Sequence, residues 1–458
     1  MIKKIMDMNS DEVKNALSTN SISVCVIGIG RIGLPTALSF ANSGLFTIGL
    51  DINSELIKQI KSVDYPLKDE PGYDTIFENV IKNEKFIVTS KIEEAVPKSD
   101  VILLSLPTPM NVQNIPDYSA LRSVGKQLNE FLSPGSIVII ESTIEPGFIE
   151  NEFLLLIEGD KKRLKAGANF EIGVCPETAN PGEIMKDFEK LPRLIGGINK
   201  NSENIIYDIY NHVFPVELIR MPNCKTANAV KLTTNVFRDV NIAFVNELSL
   251  LFEKLGIDTM KVLEAAKTKY NFQVHYPGAG VGGPCLPVNS YQLINSAKSF
   301  GENYLQIVKA GRRINESMPQ HVVDLILDAF SEKGKPLDDS NILILGLSYK
   351  PNVKDIQLSP AQEIIDKLLK LKLNVKIYDP FYRSEKIYDI ICENNIQDVI
   401  SSIDAVVLIT AHDEFKNIKL EDIASKMKNN ILIDSRGVFD QISAQNAGLI
   451  FRGLGRGI

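Results

Sequence analysis

The sequence predicts an α/β protein in which two doubly wound parallel sheets are joined by a helical region containing one long helix. Short apolar runs alternate with helix-length segments near the start of the chain, and the same alternation returns near its end. Such runs are typical of strands that are buried on both faces of a parallel sheet. The 458 residues exceed what one hydrophobic core usually organises, which favours two or three domains.

The first sheet is predicted within residues 1–215. Its strands are expected in the segments SVCVIGIG (23–30), LFTIGLDIN (45–53), VILLSLPTP (101–109), SIVIIESTIEPG (136–147), EIGVCPE (171–177) and RLIGG (193–197). Residues 1–20 are predicted to form a short helix rather than a secretory signal, because acidic side chains interrupt them before an apolar run develops.

The helical region is predicted over residues 216–325 and the second sheet over 326–458. From Pro222 to Gly256 the chain contains no further proline and keeps helical spacing of apolar residues, so we expect one long helix that can serve as a subunit interface. The second sheet is expected from NILILGLSYK (341–350), NVKIYDP (374–380), AVVLITAH (405–412) and NILIDSRG (430–437), with a helix starting near Ser359.

Composition narrows the function classes. A formal net charge of -7 and 44% apolar residues describe a soluble globular protein without general affinity for nucleic acid or acidic membranes. No apolar stretch approaches the ~20 residues of a membrane span. The five cysteines are scattered, without the pair spacing of a metal site. We therefore expect a cytoplasmic protein with free thiols and no bound metal.

A glycine-rich motif predicts a dinucleotide site of the Rossmann type. Gly28, Gly30 and Gly33 directly follow the first strand, where they allow a tight turn, a close approach of pyrophosphate and close packing of a helix. Asp51 ends the next strand, where its carboxylate can accept hydrogen bonds from an adenosine ribose and would repel a 2′-phosphate. NAD is therefore expected rather than NADP, although Arg31 in the same loop could pair with a phosphate.

Further cofactor contacts are expected from this loop and from loops at neighbouring strand ends, where open α/β sheets bind ligands. The residues concerned are Ile32, Pro107, Thr108 and Thr143. A glycine-rich turn that serves packing alone is the alternative interpretation of the motif.

Three further residues indicate chemistry beyond nucleotide binding. Lys231 and Asn235 are one helical turn apart, and an ammonium with an amide can hold an alcohol or stabilise an oxyanion. A solvated polar face is the alternative. Cys285 lies among glycines and prolines before a helical stretch, where a helix dipole favours the thiolate. A buried, inert cysteine is the alternative there.

Nine segments, in order over nearly the whole chain, resemble the UDP-glucose/GDP-mannose dehydrogenase family. They are GIGRIGLPTAL, LPTP, ESTIEPG, CPETANPGE, AVKLTTNVFRDVNIAFVNEL, GAGVGGPCLPVNSYQL, GRRINESMP, GLSYKPNVKDIQLSPA and YDP. The resemblance implies two successive NAD-dependent oxidations of the C6 alcohol of a nucleotide sugar, which give a uronic acid through a cysteine-bound intermediate. It also implies a UDP-sugar substrate and a homodimer or a larger oligomer built from dimers.

The resemblance assigns a role to each candidate residue. Cys285 matches the nucleophile that traps the C6 aldehyde, while Lys231 and Asn235 match the pair that holds the C6 oxygen. Thr143 and Glu177 match residues that position the water used in proton transfer and hydrolysis. The substrate contacts implied are Glu177, Lys231, Asn235, Tyr276, Gly278, Gly280, Gly282 and Lys350. Backbone amides of the glycine-rich loop can form a concave anion site without net basic charge.

Several positions depart from the family pattern where that pattern uses charge. Asn289 replaces an aspartate that supports Lys231 and the catalytic water, and asparagine cannot accept a proton as a carboxylate does. We therefore expect slower thioester hydrolysis. Gln357 and Asn271 stand where many members have arginines, and Lys269 could take over the role of the second one.

The segment CPETANPGE bears on the identity of the sugar. Pro181 stands four residues after Glu177, where dehydrogenases of plain UDP-glucose tend to have a second glutamate. The resemblance therefore favours a UDP-N-acetylhexosamine such as UDP-N-acetylmannosamine. The alternatives are a UDP-glucose 6-dehydrogenase, a two-electron hydroxyacid-type dehydrogenase that needs no thiol, and an NAD or UDP-sugar binding protein with impaired catalysis.

Overall fold

The computed structural model describes residues 3–68, 70–159, 163–180, 182–301, 303–335 and 337–456. The chain forms two compact units. The first contains the chain up to Thr234 together with Tyr291–Ser299, and the second contains Asn235–Ser290 and the chain from Phe300 onward. Pro181, on which the sugar prediction draws, lies outside the described residues.

The first unit is built on an eight-stranded sheet. Its strands are β1 (Ser23–Ile27), β2 (Phe46–Leu50), β3 (Phe86–Thr89), β4 (Val101–Leu104), β5 (Ile137–Ile140), β6 (Glu171–Val174), β7 (Arg193–Gly197) and β8 (Leu218–Met221). Their order is β3-β2-β1-β4-β5-β6-β7-β8, so the sheet is doubly wound about β1 and β4. The predicted fold class is confirmed for this part of the chain.

One strand pair in this sheet departs from the prediction of an all-parallel arrangement. The pairs are parallel except that β6 and β7 are antiparallel. Among the described residues between β6 and β7, the helix Ile184–Lys190 is short. The chain therefore re-enters the sheet from the carboxyl ends of the strands, without the crossover that a parallel pair needs.

Helices cover both faces of the first sheet. In the part of the chain that the structure describes, they are α1 (Ser10–Ser18), α2 (Gly33–Asn42), α3 (Ser54–Lys61), α4 (Tyr73–Lys82), α5 (Ile92–Ala95), α6 (Ser119–Phe131), α7 (Leu154–Glu158), α8 (Ile184–Lys190) and α9 (Lys200–Val213). Short 3₁₀ turns lie at Ile5–Asp7 and Val96–Lys98, and a π-helical turn lies at Ile149–Phe153.

Strand β1 shows how the core of the first unit is divided. Val24 and Val26 belong to one hydrophobic cluster, and Cys25 and Ile27 belong to another on the opposite face. All four side chains are buried, because successive side chains of a strand point to opposite faces and each face is covered. This is why the strand appears in the sequence as an unbroken apolar run.

The helical segment follows β8. It consists of α10 (Cys224–Lys254), α11 (Thr259–Ala266), α12 (Leu286–Ser296) and α13 (Gln306–Lys333), with a 3₁₀ turn at Lys298–Phe300. Helix α10 has 31 residues, which confirms the predicted long helix. Gly256, which follows its end, has φ +68°, a left-handed conformation typical of a glycine that terminates a helix.

The second unit contains a five-stranded sheet. Its strands are β9 (Asn341–Leu345), β10 (Asn374–Tyr378), β13 (Ala405–Leu408), β14 (Ile431–Asp434) and β15 (Ile450–Gly453), and the two-residue strands β11 (Lys386–Ile387) and β12 (Ile390–Ile391) form a separate ribbon. The order is β10-β9-β13-β14-β15, and all pairs are parallel. The predicted second parallel sheet is confirmed, with β15 added at its edge.

Helices also cover both faces of the second sheet. The α-helices described there, besides α13, are α14 (Pro360–Lys370), α15 (Asp413–Lys416), α16 (Leu420–Ala424) and α17 (Gln441–Asn446), with 3₁₀ turns at Ile396–Asp398 and Ile400–Ser402. Along β9, Ile342 and Ile344 enter one hydrophobic cluster, and Leu343 and Leu345 enter the other. No helix in the described ranges is long and apolar enough to cross a membrane.

Candidate active site

The glycine motif forms the turn between β1 and α2. Gly28 has φ +89°, and a Cβ there would lie 2.5 Å from the Ser105 carbonyl oxygen, so only glycine fits without strain. A Cβ on Gly33 would overlap the carbonyl of Gly28, whereas a Cβ on Gly30 would meet no atom within 4 Å. The middle glycine therefore faces the open space into which a pyrophosphate would fit. Helix α2 begins after Ile32 without a side-chain cap.

Asp51 follows the last residue of β2 and holds the glycine turn. Its carboxylate accepts the backbone N–H of Ile29 at 3.0 Å and that of Asn53 at 2.9 Å. The side chain is half-buried, so its outer oxygen lone pairs can accept ribose hydroxyls. The neighbouring Ile52 is 93% exposed and offers an apolar surface beside that position. These features fit an NAD molecule.

Arg31 lies in the glycine turn but pairs with an internal carboxylate. Its Nε is 3.4 Å from Oε1 of Glu70, whose side chain is 1% exposed. Glu70 also accepts the backbone N–H of Gly182 at 2.6 Å. Arg31 is therefore engaged within the protein, and the preference for NAD given by Asp51 stands. No motif in the sequence signals Glu70.

The loops after β4 and β5 meet beside this turn. Thr108 Oγ1 donates a hydrogen bond to the Thr143 carbonyl at 2.8 Å, and Gln292 Nε2 donates to the same oxygen at 3.0 Å. Ser142 Oγ donates to the Leu106 carbonyl at 2.8 Å. The structure thus brings together the two strand-end loops that the sequence analysis assigns to the cofactor, with Pro107 exposed in the first of them.

Glu177 follows β6 and is held by three donors. Its Oε1 accepts the backbone N–H groups of Thr178 and Ala179 at 2.6 and 2.8 Å, and its Oε2 accepts from Nη1 of Arg193 at 2.7 Å. The Arg193 side chain is 2% exposed and that of Glu177 is 10% exposed. This is a nearly buried ion pair with one fixed carboxylate orientation.

A second carboxylate lies behind this pair. Glu141, directly after β5, is buried, and its Oε1 accepts a hydrogen bond from the Tyr210 hydroxyl at 2.6 Å. Burial, reinforced by the negative charge of Glu177, raises the pKa of Glu141 to about 7, although Arg193 and Tyr210 act in the opposite direction. The sequence analysis missed Glu141 and Arg193. Their signal is a charged residue at the end of a buried apolar strand.

Lys231 and Asn235 are both partly buried on α10, one turn apart as predicted. Asn235 Nδ2 donates to Oδ1 of Asn289 at 2.6 Å, and Asn289 is 3% exposed. Asn289 thus occupies a packed, hydrogen-bonded position. An aspartate there could accept the same hydrogen bond from Asn235 through a carboxylate oxygen.

Cys285 is exposed, forms no disulfide and immediately precedes α12. Its carbonyl accepts the N–H of Asn289 at 2.9 Å, which closes the first helical turn. The thiol therefore stands at the N-terminus of an 11-residue helix, as the sequence predicts. Gly283 has φ +87°, and its N–H donates to the Gln357 carbonyl at 2.9 Å, so the loop before the cysteine is fixed by backbone contacts.

The glycine-rich loop before Cys285 packs closely on its surroundings. The Gly278 N–H donates to Oδ1 of Asn246 at 2.9 Å, and a Cβ on Gly280, which has φ +135°, would be 3.2 Å from Pro360. A Cβ on Gly282 would overlap the Leu358 carbonyl. Two of the predicted substrate residues, Tyr276 and Lys350, are exposed, and the Tyr276 hydroxyl donates to Glu264 at 2.9 Å.

A buried polar network anchors this loop and the cysteine helix to α10. Asp239 accepts from Ser290 Oγ at 2.7 Å, from Arg312 Nη1 at 2.9 Å and from Asn315 Nδ2 at 2.8 Å. Asn246 in turn donates to Asn315 at 2.9 Å. The network connects α10, α12 and α13, which explains the function of the segment GRRINESMP in positioning the loop.

Arg436 is a cation near the glycine loop that the sequence analysis missed. A small cavity beside Gly280 is lined by Arg436, Tyr349 and Thr410 among other residues, and a Cβ on Gly278 would overlap the guanidinium of Arg436. Burial lowers the pKa of Arg436, against the opposite influence of Asp434. Its signal in the sequence is an arginine at the carboxyl end of a buried strand.

Gln357 and Asn271, which stand where many family members have arginines, differ in their surroundings. Gln357 uses its carbonyl for Gly283, and its side chain donates to Asp355 at 3.3 Å. Asn271 and Lys269 are exposed. Within the described ranges, no group of three or more histidine, cysteine or acidic residues is placed to hold a metal ion.

Three family models match the chain. The NAD binding domain of the UDP-glucose/GDP-mannose dehydrogenase family matches residues 22–214, its central domain matches 225–317, and its UDP binding domain matches 343–441. Together these matches cover most of the sequence.

Similar proteins span nearly the full length. A UDP-N-acetyl-D-mannosamine dehydrogenase of Pyrococcus horikoshii is 36% identical over 95% of this chain and 99% of that protein. The solved structure of a UDP-D-ManNAc dehydrogenase from Pyrococcus horikoshii has a TM-score of 0.87 at 35% identity over 95% and 100% of the two chains. A UDP-N-acetyl-D-glucosamine 6-dehydrogenase of Salmonella typhi is 31% identical over 92% and 97%. The structure of an NDP-N-acetyl-D-galactosaminuronic acid dehydrogenase from Methanosarcina mazei has a TM-score of 0.85 at 28% identity over 100% and 98%.

Proposed function

Because the chain belongs to the UDP-glucose/GDP-mannose dehydrogenase family and is an NAD-dependent nucleotide-sugar dehydrogenase, we propose that it oxidises a UDP-N-acetylhexosamine at C6. The product is the uronic acid, and UDP-N-acetylmannosamine is the substrate we favour. The observation that carries the proposal is an exposed thiol, Cys285, at the start of α12 in a chain whose full-length relatives are named for UDP-N-acetyl sugars.

The residues of the first unit fit NAD and assign its contacts. We assign the pyrophosphate to the turn formed by Gly28, Gly30, Ile32 and Gly33 and the adenosine ribose to Asp51, whose carboxylate holds that turn. NAD would bind once for each oxidation and would accept one hydride each time, which gives two NADH per sugar. Arg31 supports the turn through its contact with Glu70. Pro107, Thr108 and Thr143 form the neighbouring wall.

Cysteine chemistry explains how one active site can remove four electrons. The Cys285 sulfur adds to the C6 aldehyde to form a C–S bond, and the carbonyl oxygen takes a proton, which gives a thiohemiacetal. Loss of hydride and that proton gives a thioester. Water then adds to the acyl carbon, and the C–S bond breaks with its electron pair on sulfur. Lys231 and Asn235 stabilise negative charge on the C6 oxygen in these steps.

Thr143 and Glu177 are assigned to the water. The Glu177 carboxylate accepts the proton that water loses during addition to the thioester, and Thr143 orients the water. Asn289, at the position of the family aspartate, holds Asn235 but cannot accept a proton. We therefore expect Asn289→Asp to accelerate thioester hydrolysis in a single-turnover assay. Unchanged or slower hydrolysis would show that the amide belongs to a different working arrangement.

We assign the UDP moiety to the loop before Cys285 and to a domain at residues 326–458. The NAD domain is assigned to residues 1–215 and the helical domain to residues 216–325. Backbone amides around Gly280 and Gly282 provide donors for phosphate, Gly278 fixes the start of the loop through its hydrogen bond to Asn246, and Tyr276 and Lys350 complete the contacts. The match of the UDP binding domain model to residues 343–441 supports this part of the proposal.

A homodimer in the cytoplasm completes the proposal. Phe237, Phe244 and Leu251 stand seven residues apart on α10 and are 47%, 49% and 52% exposed, so they form an apolar stripe that a second copy of the helix can cover. The double substitution Phe244→Glu and Leu251→Glu is expected to halve the mass found by light scattering. The five cysteines are all free, which suits a reducing compartment.

The decisive experiment is a panel of UDP- and GDP-sugars scored by the number of NADH molecules formed per sugar. Two NADH with UDP-N-acetylmannosamine, and a uronic acid product, are expected. One NADH with a released aldehyde would indicate a two-electron dehydrogenase. Preferred turnover of plain UDP-glucose would replace UDP-N-acetylmannosamine as the assigned substrate. Tight binding of a UDP-sugar without any NADH would indicate a protein with impaired catalysis.

A matched pair of variants tests the thiol. Cys285→Ser is expected to stop the reaction near the first oxidation, whereas Cys392→Ser, at a buried cysteine directly after β12, should leave the stoichiometry at two. Intact turnover in Cys285→Ser would replace the thioester mechanism with two-electron chemistry.

A further inference from the structure

Behind Glu177 lies a buried cluster that the proposed mechanism does not use. Arg193, the first residue of β7, is enclosed by aromatic rings. Its guanidinium carbon is 3.9 Å from the ring centre of Phe214 and 4.4 Å from that of Phe188. Tyr210 lies at 5.8 Å. Such packing restricts the movement of the guanidinium, because three aromatic rings lie close to it.

The cluster contains two carboxylates and one cation. Glu177 forms the ion pair with Arg193 at 2.7 Å, and the main chain of Glu177 donates to the Glu141 carbonyl at 3.2 Å, so the two acidic residues are adjacent. The titratable groups that face Glu141 are Arg193, Glu177, Tyr210 and Cys175. One guanidinium can neutralise only one of two buried carboxylates.

We propose that Arg193 is a positioning residue that holds the Glu177 carboxylate for the water-dependent step, and that Glu141 controls this contact through its own protonation. The inference rests on the proposed function, because it requires Glu177 to act on water. When Glu141 is neutral, the positive charge of Arg193 is balanced by Glu177 alone. When Glu141 is ionised, its negative charge also attracts the same guanidinium.

The geometry accounts for each part of this role. Three donors fix the orientation of Glu177, namely Arg193 and the N–H groups of Thr178 and Ala179. In the hydrolysis step the water oxygen bonds to the acyl carbon, the Cys285 sulfur leaves with the bonding pair, and Glu177 accepts one proton from water. No group is oxidised or reduced. The ion pair with Arg193 and the two backbone donors hold the Glu177 carboxylate in the orientation that this proton transfer uses.

A double-mutant cycle tests the positioning role. Arg193→Gln and Glu177→Gln are each expected to lower kcat on the order of 10- to 100-fold, with the KM for the UDP-sugar changed less than about twofold, as a misplaced general base predicts. Because Arg193 acts through Glu177, the double variant should be no slower than Glu177→Gln alone. Independent, multiplying losses would overturn the proposal, as would an unchanged kcat in Glu177→Gln.

Two controls separate positioning from folding. Arg452 is a second buried arginine with two acidic partners, Asp328 and Glu332, and Arg452→Gln should lower the melting temperature while leaving kcat unchanged. Arg193→Lys keeps the cation and should recover part of the kcat lost in Arg193→Gln. If Arg193→Gln does not fold, the comparison is made between Arg193→Lys and Glu177→Gln, with the same test of additivity.

The pH profile tests the part assigned to Glu141. Burial and Glu177 raise the pKa of Glu141 to about 7, so the wild-type residue ionises across neutral pH while Glu141→Gln stays neutral. The ratio of kcat in Glu141→Gln to that in wild type should be constant below about pH 6 and rise through pH 7. A flat ratio from pH 5.5 to 8.5 would overturn the role of Glu141.

The same assays distinguish this proposal from the proposed function. Mass spectrometry of acid-quenched enzyme should detect a sugar acyl adduct on Cys285 that accumulates in Arg193→Gln and turns over in wild type. If wild type forms neither an adduct nor two NADH, the proposed function fails first. If wild type forms both and Arg193→Gln neither slows turnover nor accumulates adduct, the function stands and the role of Arg193 is wrong.

Discussion

In both sheets a left-handed glycine follows the first strand, but the two glycine turns have different surroundings. In the first, the N–H of Gly28 donates to the Leu50 carbonyl at the end of β2, at 2.8 Å, and in the second the N–H of Gly346 donates to the Tyr378 carbonyl at the end of β10, at 2.9 Å. Both glycines are left-handed, with φ +89° and +87°. Each glycine turns the chain sharply after the first strand of its sheet.

An aspartate follows the second strand in both sheets. Asp51 accepts the N–H of the residue after Gly28 and that of the residue two positions beyond itself. Asp379 does the same with Leu347 at 2.7 Å and Phe381 at 2.9 Å, and it also accepts from Nε2 of His412 at 3.0 Å. Asp51 is half-buried, whereas Asp379 is fully buried.

This difference explains why one turn can bind a dinucleotide and the other cannot. Asp51 keeps an accessible face for a ribose, while the carboxylate of Asp379 is enclosed by backbone donors and a histidine. Ser348 and Pro351 also stand where the second and third glycines would be, so the backbone cannot receive a pyrophosphate closely. An acidic residue at a strand end therefore indicates a ligand site only when it remains accessible.

The largest loss of stability is expected from Asp379→Ala. It removes the acceptor for the N–H groups of Leu347 and Phe381 and leaves Nε2 of the buried His412 without the carboxylate it contacts. We expect a loss of about 3–5 kcal/mol in unfolding free energy, as for breaking a buried pair. Urea denaturation of wild type and variant measures it. Asp51→Ala should cost only about 1–2 kcal/mol, and equal losses would contradict the distinction.

The glycines provide the next largest effect. Gly28→Ala and Gly346→Ala are expected to destabilise by similar amounts, about 2–4 kcal/mol, because each combines a left-handed backbone with a Cβ 2.5 or 2.6 Å from a carbonyl oxygen. Gly30→Ala meets no atom and should change stability by less than about 0.5 kcal/mol while raising the KM for NAD. A large loss of stability in Gly30→Ala would contradict an open cofactor turn.

These positions also show what the sequence could predict. The strands were predictable because their residues are buried on both faces, and the Gly28 to Asp51 signature was predictable because its residues act through local backbone geometry. The long helix and the position of Cys285 before α12 follow from local patterns in the same way. Each of these features depends on residues that are close together in the chain.

The rest depends on tertiary contacts that no local pattern specifies. Arg193 lies in β7, whereas Glu141 and Glu177 lie in the loops after β5 and β6, and Glu70 reaches Arg31 from 39 residues away in sequence. The reversal of β7 likewise depends on how the chain after β6 packs, and not on its apolar pattern. A charged residue at a buried strand end is the signal that could have identified Glu141, Arg193 and Arg436.

A functional effect of intermediate size is expected from Asp51→Ala. Loss of charged hydrogen bonds to the ribose, worth about 1.5–3 kcal/mol, should raise the KM for NAD roughly 10- to 100-fold and narrow the preference for NAD over NADP. The KM for the UDP-sugar should not change. Initial-rate kinetics with both cofactors measure this. Gly346→Ala, in the second sheet, should leave the KM for NAD unaltered, and an unaltered KM in Asp51→Ala would refute the cofactor assignment.

The smallest effect is a pH dependence of the unfolding free energy, which Asp379 should contribute and Asp51 should not. Burial acts to raise the pKa of Asp379, but the hydrogen bond and charge of His412 and the N–H groups of Leu347 and Phe381 outweigh it, so the pKa lies below its usual value. The stability that the ionised group contributes is therefore complete above its ordinary pKa of ~3.9. That stability is lost as the pH falls through the lowered folded-state value. The difference in unfolding free energy between wild type and Asp379→Asn should be constant from pH 7 to 5 and shrink towards pH 3. A difference that grew on acidification would show that Asp379 is held in its neutral form, and the two aspartates would then differ in charge as well as in accessibility.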